Sequence, residues 1–127
     1  MKHHIEILRC LQNNRSVSSR DLARQLGISV SVVDECVRAL RDWEFGISDL
    51  PGTGYQLTES LQLVDENRLR EELRSKGLLI EDRLEVLGEV DSTSERLLEC
   101  PDHDILHGRT CVAEFQSQGR GRRGRTW

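Results

Sequence analysis

The chain reads as an α+β protein in two parts. Residues 1–60 predict a winged helix-turn-helix, and residues 61–127 predict the opening of a second, incomplete α/β domain. Three observations carry this. Apolar residues recur at helical spacing in three short stretches before residue 43, each closed by a polar or glycine stop. The turn sequence Pro51-Gly52-Thr53-Gly54 then separates two short β-prone runs. Finally, the second part turns to strand-like alternation and delivers the chain into Gly119-Arg120-Gly121-Arg122-Arg123-Gly124-Arg125-Thr126-Trp127.

Ile5, Ile7, Leu8 and Leu11 mark a first amphipathic helix over 5–12, stopped by Asn13-Asn14-Arg15-Ser16. Ser18 followed three residues later by Asp21 is a variant capping box, so a second helix begins near residue 19. Leu22, Ala23 and Leu26 are its inward face, and Gly27 supplies the left-handed residue that ends it. Ser29 caps a third helix directly, with Val33, Cys36, Val37 and Leu40 along one side. Two helices joined by about three residues around a glycine, behind a third helix, form the helix-turn-helix pattern. Ile47–Leu50 and Tyr55–Leu57 supply the hairpin that makes it winged. Residues 58–63 read as a linker. Asp65 caps a further helix with Leu69 and Leu73 inward and Gly77 at its stop. Leu84–Val90 reads as a strand, Glu95–Cys100 as a short helix ended by Pro101, and Arg109–Gln116 as a second strand.

Composition narrows the function. Residues 1–60 carry 7 Lys and Arg against 8 Asp and Glu, and residues 61–127 carry 11 against 14. Overall acidity disfavours nucleic-acid binding through bulk charge, so any such contact is local. Only Lys2 and Lys76 stand against sixteen arginines. No apolar run approaches the ~20 residues that span a bilayer, and no signal-like stretch opens the chain, so the expectation is a cytoplasmic protein without a membrane partner. Cys10, Cys36, Cys100 and Cys111 are scattered, as reduced thiols would be. Cys100, His103, His107 and Cys111 form a C-x2-H-x3-H-x3-C run with metal-ligand residue types. Pro101 and Gly108 interrupt any helix that would align them, and no metal site is expected.

The glycine-arginine segment has almost nothing apolar to bury. Its glycines let an anion approach the backbone N–H groups closely, and planar guanidinium forks bind phosphate or carboxylate oxygens in pairs. A disordered, sequence-tolerant nucleic-acid-binding tail is the other use of such a segment. Ser92 and Thr93 are likewise open to a plain role as helix caps after Asp91, and Trp127 to one as a core aromatic.

Set behind the winged helix, the pieces Leu40-Arg41-Asp42-Trp43, Leu50-Pro51-Gly52-Thr53-Gly54-Tyr55, Val90-Asp91-Ser92-Thr93-Ser94 and Ala113-Glu114-Phe115-Gln116-Ser117-Gln118-Gly119-Arg120-Gly121-Arg122-Arg123-Gly124-Arg125 resemble one family. It is the bifunctional biotin–protein ligases that also repress the biotin operon. The resemblance covers nearly the whole chain. It implies an ATP-dependent enzyme, with Mg2+ accompanying the nucleotide, that forms biotinyl-5′-adenylate and passes biotin to a lysine of a biotin carboxyl carrier protein. It also implies operator DNA as a partner and a homodimer in the longer form. Ser92, Thr93, Gln116, Gly119, Arg120 and Arg122 would line the biotin pocket, and Arg120, Arg122 and Trp127 would face the adenylate.

DNA contact is carried over onto Ser18, Arg20, Ser29, Ser31 and Arg38. Asp34 and Glu35 on the same helix repel phosphates, and the wing has no cation between Pro51 and Tyr55, so binding is expected to be weak without a dimer. The family also has a later Lys-Trp-Pro-Asn-Asp segment whose lysine contacts the reacting groups. Neither Lys2 nor Lys76 stands in such a context. The catalytic set is therefore expected to be incomplete, in a truncated chain that is inactive alone. The competing reading is a non-enzymatic winged-helix regulator with an arginine-glycine nucleic-acid-binding or vestigial sensor tail.

Overall fold

The computed structural model describes residues 3–78, 81–99 and 107–125. The chain divides into two compact units, Met1–Leu63 and Val64–Trp127.

In the first unit, α1 (His4–Leu11), α2 (Ser19–Leu26) and α3 (Val30–Asp42) are followed by the strands β1 (Ile47–Leu50) and β2 (Gly54–Leu57). The helix starts are chemically specified. The Ser18 hydroxyl accepts from the Asp21 backbone N–H at 3.1 Å and donates to the Asp21 carboxylate at 2.7 Å. Ser29 accepts from the Val32 N–H at 3.3 Å. Gly27 ends α2 at φ 66°, a conformation glycine adopts without Cβ strain. The apolar face of each helix converges: Ile7, Leu8, Leu11, Leu22, Val33, Val37 and Leu40 are all essentially inaccessible. Full burial of each such side chain is worth about 1.5–3 kcal/mol. His4 joins this core, its ring 4.6 Å from that of Trp43 and tilted by 50°.

The end of α3 is less obvious. Phe45 N–H donates to the Leu40 carbonyl and Glu44 N–H to that of Arg41, at 3.0 and 2.9 Å. This double closure places Glu44 at φ 67°, where glycine is usual. The hairpin pairs Ile47 with Leu57 and Leu50 with Gly54 in antiparallel register. Val17 and Tyr55 exchange both backbone hydrogen bonds at 2.9 Å, so the wing is stitched to the segment that enters α2.

In the second unit, α4 (Glu66–Ser75) is capped by Asp65, which accepts from the Arg68 N–H at 3.1 Å. Leu69 and Leu73 share a face that is only half-buried, so the inward face expected of this helix is partly wet. A single helical turn, Glu81–Arg83, leads into β3 (Leu84–Val90). Then follow α5 (Thr93–Leu98) and β4 (Thr110–Gln116). Strands β3 and β4 are parallel, with Leu84 opposite Thr110 and Val90 opposite Gln116. Helix α5 begins two residues before the expected Glu95, for a reason that belongs to the site.

Candidate functional site

Because β3 and β4 run in parallel and in register, their carboxyl ends lie side by side. In open α/β sheets that is the edge where loops gather around ligands. The residues after β3 and after β4 meet there. Ser117 N–H donates to the Val90 carbonyl at 3.0 Å, and Gln118 N–H to that of Asp91 at 2.8 Å. The Ser117 hydroxyl donates to the Asp91 carboxylate at 2.8 Å.

On this frame Gln116 reaches across to α5. Its Oε1 accepts from the Thr93 backbone N–H at 2.8 Å and from the Thr93 hydroxyl at 3.0 Å. The first N–H of α5, one of the orphan donors that every helix start exposes, is thus satisfied by a side chain from the neighbouring strand. This is why the helix starts at Thr93 rather than Glu95. Ser92 occupies the capping position, but its hydroxyl makes no capping bond. It is nevertheless 3% exposed, one of the few buried polar residues. Plain capping therefore does not account for Ser92, and Thr93 is spent on Gln116.

Three of the expected pocket residues, Ser92, Thr93 and Gln116, are accordingly brought together. Their remaining hydrogen-bonding capacity is mixed. The Gln116 amide NH2 is left to donate once its oxygen is committed, and the hydroxyl of Ser92 can both donate and accept. A cyclic urea, with one carbonyl and two N–H groups, needs that mixture.

Gly119, half-buried, leads into the arginine loop. Arg120 turns back to α5 and pairs with Glu95, although its side chain remains 75% exposed. The loop then closes on itself, Gly121 N–H donating to the Arg125 carbonyl at 2.8 Å. Arg123 and Gly124 take successive left-handed conformations, at φ 60° and 72°. A Cβ on Gly121 would lie 2.8 Å from that Arg125 oxygen, so no other residue closes this turn without displacement. Arg122 is exposed, and among the described residues its guanidinium makes no hydrogen bond or ion pair. Trp127 lies outside the described residues, as do Cys100, Pro101 and His103. Among the described residues, no three His, Cys, Asp or Glu side chains converge as a metal cage.

Sequence reasoning did not single out Asp91 and Glu95 as site residues. Asp91 anchors the turn after β4, and Glu95 holds Arg120. The available signal was charge complementarity: Glu95 is the first carboxylate of a short helix that precedes a cationic loop.

Toward the amino ends of the two strands, Arg96 binds Glu85 through two nitrogens, at 2.7 and 3.1 Å. That hydrogen bonding holds the Glu85 carboxyl below the usual carboxylate range, against the smaller opposing effect of burial. Burial pushes the Cys111 thiol up, as it does that of Cys10, which leaves both less reactive.

In the first unit, the residues expected to meet DNA divide by occupation. The Ser18 hydroxyl is engaged with Asp21 in both directions, and Ser29 accepts a capping bond. Arg20, Ser31 and Arg38 are exposed. Asp34 is drawn toward the wing, where the Tyr55 hydroxyl donates to it at 2.9 Å. Arg41 lies over the Tyr55 ring at 5.7 Å and donates to the Ile47 carbonyl at 3.0 Å. Burial, followed by the bond to Asp34, pushes the Tyr55 phenol up.

Residues 2–42 match the winged helix-turn-helix DNA-binding family. The chain is 35% identical over 123 residues to the bifunctional ligase/repressor BirA of Salmonella typhimurium, and 33% identical over the same length to BirA of Escherichia coli. Each match covers 97% of this chain and 36% of the relative, so the chain spans about a third of the length of these relatives.

Proposed function

We propose that this chain provides the DNA-reading unit and the first part of the biotin pocket of a biotin–protein ligase that also represses transcription from an operator. The observation that carries the reading is the Ser92, Thr93 and Gln116 cluster at the carboxyl ends of two parallel strands, with the arginine loop leaving the same edge. The similarity to the two ligase/repressors supports it, since it runs through both units.

The substrates are biotin and ATP with its Mg2+, the acceptor is a lysine of a biotin carboxyl carrier protein, and the compartment is the cytoplasm. Ser92 and Gln116 hold the urea ring, with Thr93 locking the Gln116 amide in the orientation that presents its NH2 group. Gly119 allows the loop to approach the ligand. Arg120 and Arg122 neutralise phosphate charge at the adenylate, which requires Arg120 to exchange Glu95 for phosphate oxygens. Trp127 packs at the adenine. Loop closure keeps water from a mixed anhydride that hydrolyses readily. Adenylate binding in the longer form orders a homodimer, which matches a two-fold operator.

The 127 residues alone bind but do not turn over, because neither Lys2 nor Lys76 stands in a catalytic context. Calorimetry with a non-hydrolysable biotinyl-adenylate analogue tests the pocket. Heat that disappears in Gln116→Leu is expected, alongside no biotin-dependent pyrophosphate release from the wild-type chain. No heat with the analogue favours a purely regulatory winged-helix protein, and sustained pyrophosphate release contradicts the incompleteness of the catalytic set.

A further inference from the structure

The outward face of α3 holds few groups able to read a base. Its inward positions are Val33, Cys36, Val37 and Leu40. Opposite them, Ser31, Glu35 and Arg38 recur at steps of four and three residues and are all exposed, which sets them in one row along the helix. Asp34, the neighbouring acid, is turned aside by Tyr55. Arg41 is held by the Ile47 carbonyl and the Tyr55 ring. Glu35 and Arg38 sit three apart, at a spacing where opposite charges commonly pair. Yet among the described residues neither side chain makes a hydrogen bond or ion pair, with each other or with anything else. The wing thus occupies Asp34 and Arg41, and the exposed row presents Glu35 and Arg38 in mid-helix, with Asp42 following only at the last residue of α3.

We infer that Glu35 and Arg38 are the base-discriminating side chains of α3, Glu35 accepting from the exocyclic amino group of a cytosine and Arg38 donating to a guanine one or two base pairs along. The inference rests on the DNA-binding reading and deepens it by naming what is read. A carboxylate in a groove walled by phosphates is repelled unless it meets a donor. In the major groove, the donors are the amino groups of cytosine and adenine. Adenine sets its N7 acceptor beside its amino group, which repels a carboxylate, whereas cytosine presents only C–H there. Cytosine is therefore the base that rewards Glu35. Arg38 lies roughly 4.5 Å further along the helix axis, from three residues at about 1.5 Å rise each. Its fork matches O6 and N7 of guanine.

The test is enrichment of duplexes from a randomised library by the purified 127-residue chain at low ionic strength. Wild type, Glu35→Gln, Glu35→Ala and Arg38→Ala are compared, with circular dichroism confirming that each variant folds. The wild-type motif is expected to contain a cytosine with a guanine one or two pairs away. Glu35→Gln should move the preference at the cytosine position to adenine, because the glutamine amide matches N6 and N7 of adenine. Glu35→Ala should flatten that position, with a roughly fivefold or greater loss of discrimination, the low end of what one good base contact provides. Arg38→Ala should flatten the guanine. A wild-type motif without cytosine, or one that Glu35→Gln and Glu35→Ala leave unchanged, overturns the inference while DNA binding stands. If the wild-type chain retains no duplex in a salt-sensitive way, the DNA-binding reading fails and the inference with it.

Discussion

Gly54 is the position where one methyl group should unseat the wing. Its φ is +108°, and an added Cβ would lie 2.3 Å from the Val17 carbonyl oxygen, 2.5 Å from Ser18 Cα and 2.6 Å from Ser18 N. All three are backbone atoms, so no flexible side chain can give way. Relief requires the wing to lift from residues 17 and 18. That breaks the two 2.9 Å bonds between Val17 and Tyr55 and pulls Tyr55 from Asp34. Backbone strain of about 1–3 kcal/mol and roughly 1 kcal/mol for each of the three lost hydrogen bonds bring the cost of Gly54→Ala to about 4–6 kcal/mol. A domain of this size holds only about 0.05–0.15 kcal/mol per residue. The loss therefore consumes most of its margin.

Gly52 is the matched control. Its φ is +80°, but nothing lies within 4 Å of an added Cβ, so Gly52→Ala should cost only about 1–2 kcal/mol of left-handed strain. Urea unfolding, followed by Trp43 fluorescence in a Trp127→Phe background, compares the two. Equal destabilisation by both substitutions would refute the claim that the wing is clamped against the entry to α2.

Two further outcomes follow from named contacts. Glu44→Gly should raise the stability of the first unit by about 1 kcal/mol, because Glu44 sits at φ 67° in the closure after α3 and glycine removes that strain; unchanged or lowered stability in urea would count against the closure. Arg96 depresses the Glu85 carboxyl, so the stabilisation is present above the ordinary carboxylate value of about 4.3 and is lost as pH falls through the depressed folded value. Acid unfolding of the second unit should therefore lose this pH dependence in Glu85→Gln, and a profile identical to wild type would contradict it.

The first unit was the more legible in sequence because its signals are local. Ser18, Ser29 and Gly27 act within a few residues of themselves, and the apolar spacing of α1 and α3 needs no partner to be read. Glu44 gave no such signal, since the left-handed residue there is not glycine and is imposed by the Phe45 and Glu44 hydrogen bonds. The start of α5 was misplaced for a related reason: its cap is Gln116, 23 residues distant from Thr93, and helix-start rules look only at neighbours. The grouping of Ser92, Thr93 and Gln116 was available through family resemblance, but their division of labour required the parallel register. The Tyr55 bond to Asp34 spans 21 residues and decides which of the two adjacent acids, Asp34 and Glu35, is free to act. Sequence spacing alone treats Asp34 and Glu35 alike.

The central claim is that the carboxyl ends of β3 and β4 form the start of an acyl-adenylate pocket. Backbone amide shifts of the labelled chain, recorded during titration with the non-hydrolysable biotinyl-adenylate analogue, address it residue by residue. The account predicts the largest shifts at Ser92, Thr93, Gln116 and Gly119 through Arg122, with α1 to α3 unmoved; shifts confined to the helices of the first unit, or no shifts at saturating analogue, would contradict it.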